Sequence, residues 1–298
     1  MPVKTVEKQL AGWVSDAGDA NADWLTKACR KQQEVAAEDL ADTVSLHWAM
    51  ARRRLGTDPL AASHPDKQLT VDGVDAGRWS VGDAGRIVLL LHAMALNPAG
   101  APALAASVYR AGDESERAAM VRALALFDEP EDYRDIALET GRANSLVLYG
   151  ALAEFNPYPA LVYTEHDFNQ LVLKTIFTGL SIARIVGLQR RINADLARMC
   201  EDFHDERKAA GRTVPVDMWL AMAPHGSPRA VELVTARLSD DDPAHRLFAA
   251  TALGWSQPAD APAVAALREA LATEQDERVR AAMQASLDHI DNSSRKGT

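Results

Sequence analysis

The sequence predicts an all-α protein built from stacked helix pairs. Apolar residues recur at i, i+3, i+4 and i+7 through most of the chain, the period of amphipathic helices. No segment sustains the alternation of a strand. Alanine is abundant and aromatic residues make up 6%, which suits helices packed closely through small side chains. With 298 residues, 47% hydrophobic and 25% charged, the chain has a globular composition and the length for one large domain or two ordinary ones.

The elements follow in order. Val3, Val6, Leu10, Trp13 and Val14 mark a first helix. Asn21 is a suitable cap for a second, carrying Trp24, Leu25, Ala28 and Cys29. A third starts near Glu38, places Leu40, Val44, Trp48, Ala51 and Leu55 on one side, and stops at Gly56. Residues 57–79 are rich in Asp, Gly and Pro and lack a sustained period, so they read as one long loop, either a lid or a surface wrap. Ser80 and Asp83 have capping-box spacing for a helix that runs to about Leu96 and stops at Asn97-Pro98. Further helices are expected near 100–111, 114–127, 131–142 and 144–155, then a break at Asn156-Pro157-Tyr158-Pro159. Beyond it lie helices near 165–180, 194–210, 215–223, 227–239, 243–255, 260–272 and 276–290, and a frayed tail over 292–298.

A repeat appears near the end of the chain. Asp242, Arg246 and Leu253 recur as Asp276, Arg280 and Leu287, and the same Asp-x3-Arg-x6-Leu spacing occurs at Asp113, Arg117 and Leu124. This resembles the second helix of a HEAT repeat, in which Asp caps the helix, Arg bridges to a neighbouring unit and Leu faces the core. Such helix pairs cannot bury their apolar face alone and stack on one another, so the expected architecture is a HEAT- or ARM-like α-solenoid, a superhelical stack of helix pairs.

Charge and motifs exclude several classes. A net charge of −10 is the wrong sign for a nucleic-acid-binding surface, so neither nucleic acid nor a HEAT-like DNA-repair role is expected. No apolar run reaches the length of a membrane span, the longest being Ile87 to Leu91. The start of the chain lacks the apolar region of a signal peptide, and Cys29 and Cys200 read as two free thiols, which together suggest a cytoplasmic location. Phosphate loops of the GxGxxG and GxxxxGK[ST] types are absent, as is HExxH, so no cofactor is expected. Cys200 and His204 are four apart but lack a second ligand pair. The dipeptides His166-Asp167 and His204-Asp205 are compatible with a metal-dependent hydrolase that also used His92 and Asp195, but the spacing does not define a ligand set, and no metal ligands are assigned.

One segment departs from its period. Over residues 165–177, Phe168, Val172, Leu173, Ile176 and Phe177 share one arc of a helix, and Asn169 falls inside it. A buried amide must find partners, either at a helix end or carbonyl of the preceding Asn-Pro-Tyr-Pro break or in a pocket that it braces. The following stretch reverses the sign of the protein: Lys174, Arg184, Arg190, Arg191 and Arg198 face a single acid, Asp195. Asn193 is placed to cap a helix whose N-terminus and flanking arginines could grip a phosphate or carboxylate. The same arginines could instead pair with Glu201, Asp202 and Asp205. The candidate ligand-binding set is Asn169, Lys174, Arg190, Arg191, Asn193 and Arg198, with no catalytic residue.

The stretches FNQLVLKTIF, GLQRRINADLARM and AAGRTVPVDMW, the last at 209–219, resemble the core of EboA-domain proteins, with Gln189, Ile192 and Ala194 departing from that family's pattern. The resemblance is densest from Asn156 to Pro224. With the patterning above, the expected organisation is one continuous domain of N-terminal helices (1–56), the loop 57–79, a central EboA-like core (80–224), HEAT-like repeats (225–291) and the tail (292–298). The resemblance also implies a place in a bacterial secondary-metabolite pathway that includes a prenyltransferase, a sugar-phosphate cyclase-like enzyme and metal hydrolases. The expected function is that of a non-catalytic accessory protein that binds an anionic small molecule or a pathway enzyme and serves metabolite biosynthesis or export. The alternatives are an enzyme acting on a phosphorylated cyclitol or prenyl intermediate, and a pure protein scaffold.

Overall fold

The structure, a computed structural model, describes residues 2–66, 68–256 and 261–296. Helices dominate it, and the chain falls into two compact units, Met1–Tyr163 and Thr164–Thr298.

The first unit holds α1 (Val3–Asp16), α2 (Asp19–Glu34), α3 (Leu40–Leu55), a short antiparallel hairpin of β1 (Thr70–Val71) and β2 (Val74–Asp75), then α4 (Val81–Leu96), α5 (Ala101–Ala111), α6 (Glu114–Ala123), α7 (Arg134–Arg142), α8 (Leu146–Ala153) and α9 (Tyr158–Val162). The expected core of the third helix, Leu40, Val44, Trp48, Ala51 and Leu55, is buried, and Gly56 ends that helix at φ 99°. The second helix starts earlier than expected: Gly18 occupies the cap and Asn21 lies inside α2.

The centre of this unit is α4. It is apolar on nearly every side and packs against α1, α2, α3, α5 and α6. Ile87 through Leu91 are each at most 1% exposed, and each such aliphatic side chain contributes about 1.5–3 kcal/mol relative to exposure. Gly82 permits the close approach of α3, since a Cβ there would lie 2.6 Å from the Cα of Arg52. Ser80 caps α4 as its spacing predicted, accepting a hydrogen bond from the Asp83 amide at 3.0 Å.

Residues 57–66 and 68–79 form a folded element with buried apolar side chains. Leu60, Leu69, Val71, Val74, Ala76 and Trp79 are buried, and the Leu60 amide donates to the Trp79 carbonyl at 2.7 Å. The hairpin turn is Asp72-Gly73, with φ of 47° and 81°, the dipeptide that a tight two-residue turn demands. The Asn-Pro-Tyr-Pro break contains α9. Buried Asn156 donates to the carbonyls of Val121 and Ala151 and accepts from the Tyr158 amide, while the Tyr158 hydroxyl donates to the Pro130 carbonyl at 2.7 Å.

The second unit holds α10 (Glu165–Thr178), α11 (Leu188–Arg191), α12 (Ala194–Ala209), α13 (Trp219–Met222), α14 (Pro228–Thr235), α15 (Pro243–Trp255), α16 (Ala261–Thr273) and α17 (Glu277–Lys296). Here α17 continues past Asn292, where a frayed tail was expected, and residues 297–298 lie outside the described part. Helix α15 lies against α17, and Gly254 allows the contact, because a Cβ would sit 2.9 Å from the Cα of Ser286.

The repeated Asp-x3-Arg-x6-Leu spacing has one local geometry at all three places. Asp113 and Asp242 cap α6 and α15, and Asp276 accepts from the first amides of α17. The arginine four residues on folds back onto carbonyls just upstream, in the preceding loop or helix end: Arg117 onto Tyr109, Arg110 and Gly112, Arg246 onto Asp240 and Asp241, Arg280 onto Glu274. Leu124, Leu253 and Leu287 are buried. Arg246 also bridges to the next helix pair through a two-point contact with Glu274 at 2.6 and 2.9 Å.

No single helix among the described residues is long and apolar enough to cross a membrane.

Candidate functional site

Asn169 is 4% exposed on α10, and its amide is fully engaged by Asn193. Each Nδ2 donates to the other's Oδ1 at 3.1 Å. Asn193 uses the same Oδ1 to accept from the Leu196 amide at 2.9 Å, so it caps α12 as its spacing predicted, and it also donates to the Arg191 carbonyl. The partner of the out-of-place asparagine is therefore the α12 cap 24 residues downstream, and not the Asn-Pro-Tyr-Pro break. A reciprocal amide pair satisfies donors and acceptors on both sides, which is how a polar residue is kept on an apolar face at little cost.

The arginines divide. Arg191 lies over the Phe168 ring, 4.7 Å from its centroid, so α11 is packed onto the α10 face that carries Asn169. Arg190 is exposed at the end of α11. Arg198 pairs with Asp202 at 3.0 Å, an exposed i, i+4 bridge on α12. Lys174 is half-buried on α10, and burial lowers its pKa. The structure thus brings Asn169, Asn193 and Arg191 to one junction, with Arg190 beside Arg191 on α11. No contact links Arg198 to that junction among the described residues. Phe177, expected on the buried arc, is 64% exposed and stacks edge-on against Phe203 at 4.7 Å. Thr175 takes the inward place, its hydroxyl returned to the Leu171 carbonyl.

Of the acids expected to hold these arginines, Glu201 and Asp205 are taken by Arg229, at 2.6 and 2.7 Å. Asp205 also bonds His204 at 3.0 Å, and these contacts, Arg229 first, hold its pKa below the ordinary carboxylate value. His204 lies 5.8 Å from the Trp219 ring, and Trp219 donates to Nδ1 of His245 at 2.8 Å. Both ring nitrogens of His92 are engaged, by Glu7 and Gln33. No three His, Cys, Asp or Glu side chains among the described residues come together as a metal site. Cys29 and Cys200 are free thiols whose pKa burial pushes up to about 12.

A second polar cluster lies inside the first unit and was not singled out from the sequence. Arg86 of α4 is 2% exposed. Its guanidinium donates to Asp83 at 3.0 Å, to Glu116 at 3.2 Å and to the Trp48 carbonyl at 2.9 Å. Glu116 is also the reciprocal member of the α6 capping box, accepting from the Asp113 amide. Arg86 belongs to the apolar run of α4, and a charge in such a run was the available signal, since a buried cation needs carboxylates from elsewhere. The same unit has a cavity of about 410 Å3 whose lining includes Met94, Ala101 and Pro102 together with Lys4, Asp128, Glu129 and Asp132.

Comparison with known proteins assigns the chain. A family model described as "Metabolite traffic protein EboA" matches residues 6–223. The chain belongs to the EboA family. A model for HEAT repeats matches residues 214–288, the stretch that contains α13 to α17 up to Asp288. No curated protein matches, and no solved structure matches. The EboA match spans both the Arg86 cluster and the Asn169–Asn193 junction. The Asp242 and Asp276 clamps fall within the HEAT repeats, whereas the Asp113 clamp falls within the EboA portion.

Proposed function

We propose that this EboA-family chain acts by binding rather than by chemistry, as an accessory protein of metabolite traffic. In this reading the basic turn of α11 meets an anionic small molecule, or the acidic face of an enzyme of the same pathway. Arg190 makes the contact, Arg191 is held on Phe168 beside it, and the Asn169–Asn193 pair fixes the junction from which both project. Lys174 and Arg198 add positive charge on the flanking helices. The observation that carries the reading is the exposed Arg190 on a turn whose last carbonyl, that of Arg191, accepts from the α12 cap Asn193, in a protein whose net charge is −10. The two unpaired thiols suit work in the cytoplasm.

The test uses Arg190→Glu in the full chain. Co-purification with each enzyme encoded beside the gene, and calorimetric titration with citrate, should lose binding by tenfold or more. The melting temperature should hold, since an exposed substitution changes stability by about 0.5 kcal/mol or less. Unchanged binding to every enzyme and to citrate would remove the reading. A stoichiometric transition metal in the purified protein would favour the alternative, a metal-dependent enzyme.

A further inference from the structure

The Arg86 cluster does not balance. Arg52 of α3, Arg86 of α4 and Arg122 of α6 bring three guanidiniums together with two carboxylates, Asp83 and Glu116. Arg86 takes both carboxylates at short range. Arg52 reaches Asp83 only at 4.0 Å, and its buried Nε has no hydrogen-bond partner. Arg122 is half-buried and has neither a hydrogen bond nor an ion pair among the described residues. Burial lowers its pKa, Asp83 raises it, and the neighbouring Arg52 lowers it again. One further donor is idle: the indole Nε1 of Trp48, a residue 1% exposed and one turn before Arg52 on the same face of α3. Ser115, seven residues before Arg122 on α6, lies 3.5 Å from the Arg86 guanidinium.

A desolvated cation without a partner is costly, and folded proteins remove that cost by pairing it. The acids nearby are already committed to Arg86, and the Arg52 side chain is 37% exposed, so a further counter-charge would reach these guanidiniums from the solvent side. We propose that Arg52 and Arg122 form a binding site for a phosphate group, free or carried as a phosphate monoester, seated against the Asp83–Arg86–Glu116 network. Donors carried on two different helices suit a tetrahedral oxyanion, which can take a bond at each of several oxygens, better than a planar carboxylate, which one guanidinium fork can satisfy. Arg86 is the positioning residue: it occupies both carboxylates at short range, which leaves Arg52 with only its 4.0 Å contact to Asp83 and the cluster with one net positive charge. The site is formed by the first unit alone, and its test does not involve Arg190.

The full chain is titrated calorimetrically with inorganic phosphate and with glycerol 3-phosphate, and melted with each, against sodium chloride at matched ionic strength. Phosphate or its ester should raise the melting temperature in a saturable way, and Arg122→Gln should weaken that binding by about tenfold or more. Without ligand, Arg122→Gln should melt at or above the parent temperature, an outcome that a structural role for Arg122 would reverse. Arg122→Lys, which restores charge without the fork, should recover part of the affinity, and Arg52→Gln serves where Arg122→Gln does not fold. Tighter binding of the ester would identify a phosphorylated metabolite, and equal or weaker binding would identify free phosphate. The proposal falls if neither binds at ~10 mM, if chloride acts as well as phosphate, or if Arg122→Gln and Arg52→Gln leave affinity unchanged.

Discussion

Arg246 and Arg86 are both arginines at helix joints, and they are built in opposite ways. Arg246 is an edge clamp. It closes on Asp240 and Asp241 just before its own helix and on Glu274 in the turn between α16 and α17, and Arg117 and Arg280 repeat the backbone part of that geometry. Arg86 is a keystone. Its partners come from Trp48, Asp83 and Glu116 on three helices, and none of its contacts recurs elsewhere. The difference lies in where the charge goes when a partner is removed. A released Arg246 side chain is 18% exposed and can turn to water, whereas the acids around Arg86 stay in the core.

Arg86→Met is therefore expected to produce the largest effect. It leaves Asp83 and Glu116 buried without their cation and should cost about 3–5 kcal/mol by urea denaturation. A loss below about 1 kcal/mol would erase the contrast. Asn193→Ala comes next, because it removes a cap worth about 1 kcal/mol and orphans the Asn169 amide for about 1–3 kcal/mol more. A double-mutant cycle with Asn169→Ala should show coupling of about 0.5–3 kcal/mol, and strict additivity would dissolve the pair.

The clamp should respond less, and with pH. Glu274→Gln should cost about 1.5–3 kcal/mol at neutral pH. The Arg246 contact, and then the amides of Asp276 and Gln275, hold the Glu274 carboxyl at about 2, below its ordinary 4.5. Its stabilisation is complete above pH 4.5 and is lost as pH falls toward 2, so acid titration of the parent should show a stability loss that Glu274→Gln lacks. Asp113→Ala should have the smallest effect, about 0.5–2 kcal/mol for the cap, read from the melting temperature. An Asp113→Ala loss as large as that of Arg86→Met would mean that the capping box transmits through Glu116 into the keystone.

Legibility followed the same division. The buried stripe of α3, the caps at Ser80 and Asn193 and the three Asp-Arg-Leu clamps were readable because each depends on residues within a turn or two of one another. The Asp72-Gly73 turn is also written locally, but the two-residue strands beside it leave no visible alternation in the sequence. The family was readable from the stretches around Asn169 and Asn193, and the family model matches across them.

What the sequence determined by itself was helical class, repeat geometry and family, since periodicity and capping act over four to seven residues of chain. What only the tertiary structure decided was which polar groups meet: Asn169 with Asn193 across 24 residues, Arg86 with Glu116 across 30 and with Trp48 across 38. Burial removes water as a partner, so each buried polar atom must take whichever group the packing of distant helices delivers to it, and no local spacing encodes that delivery.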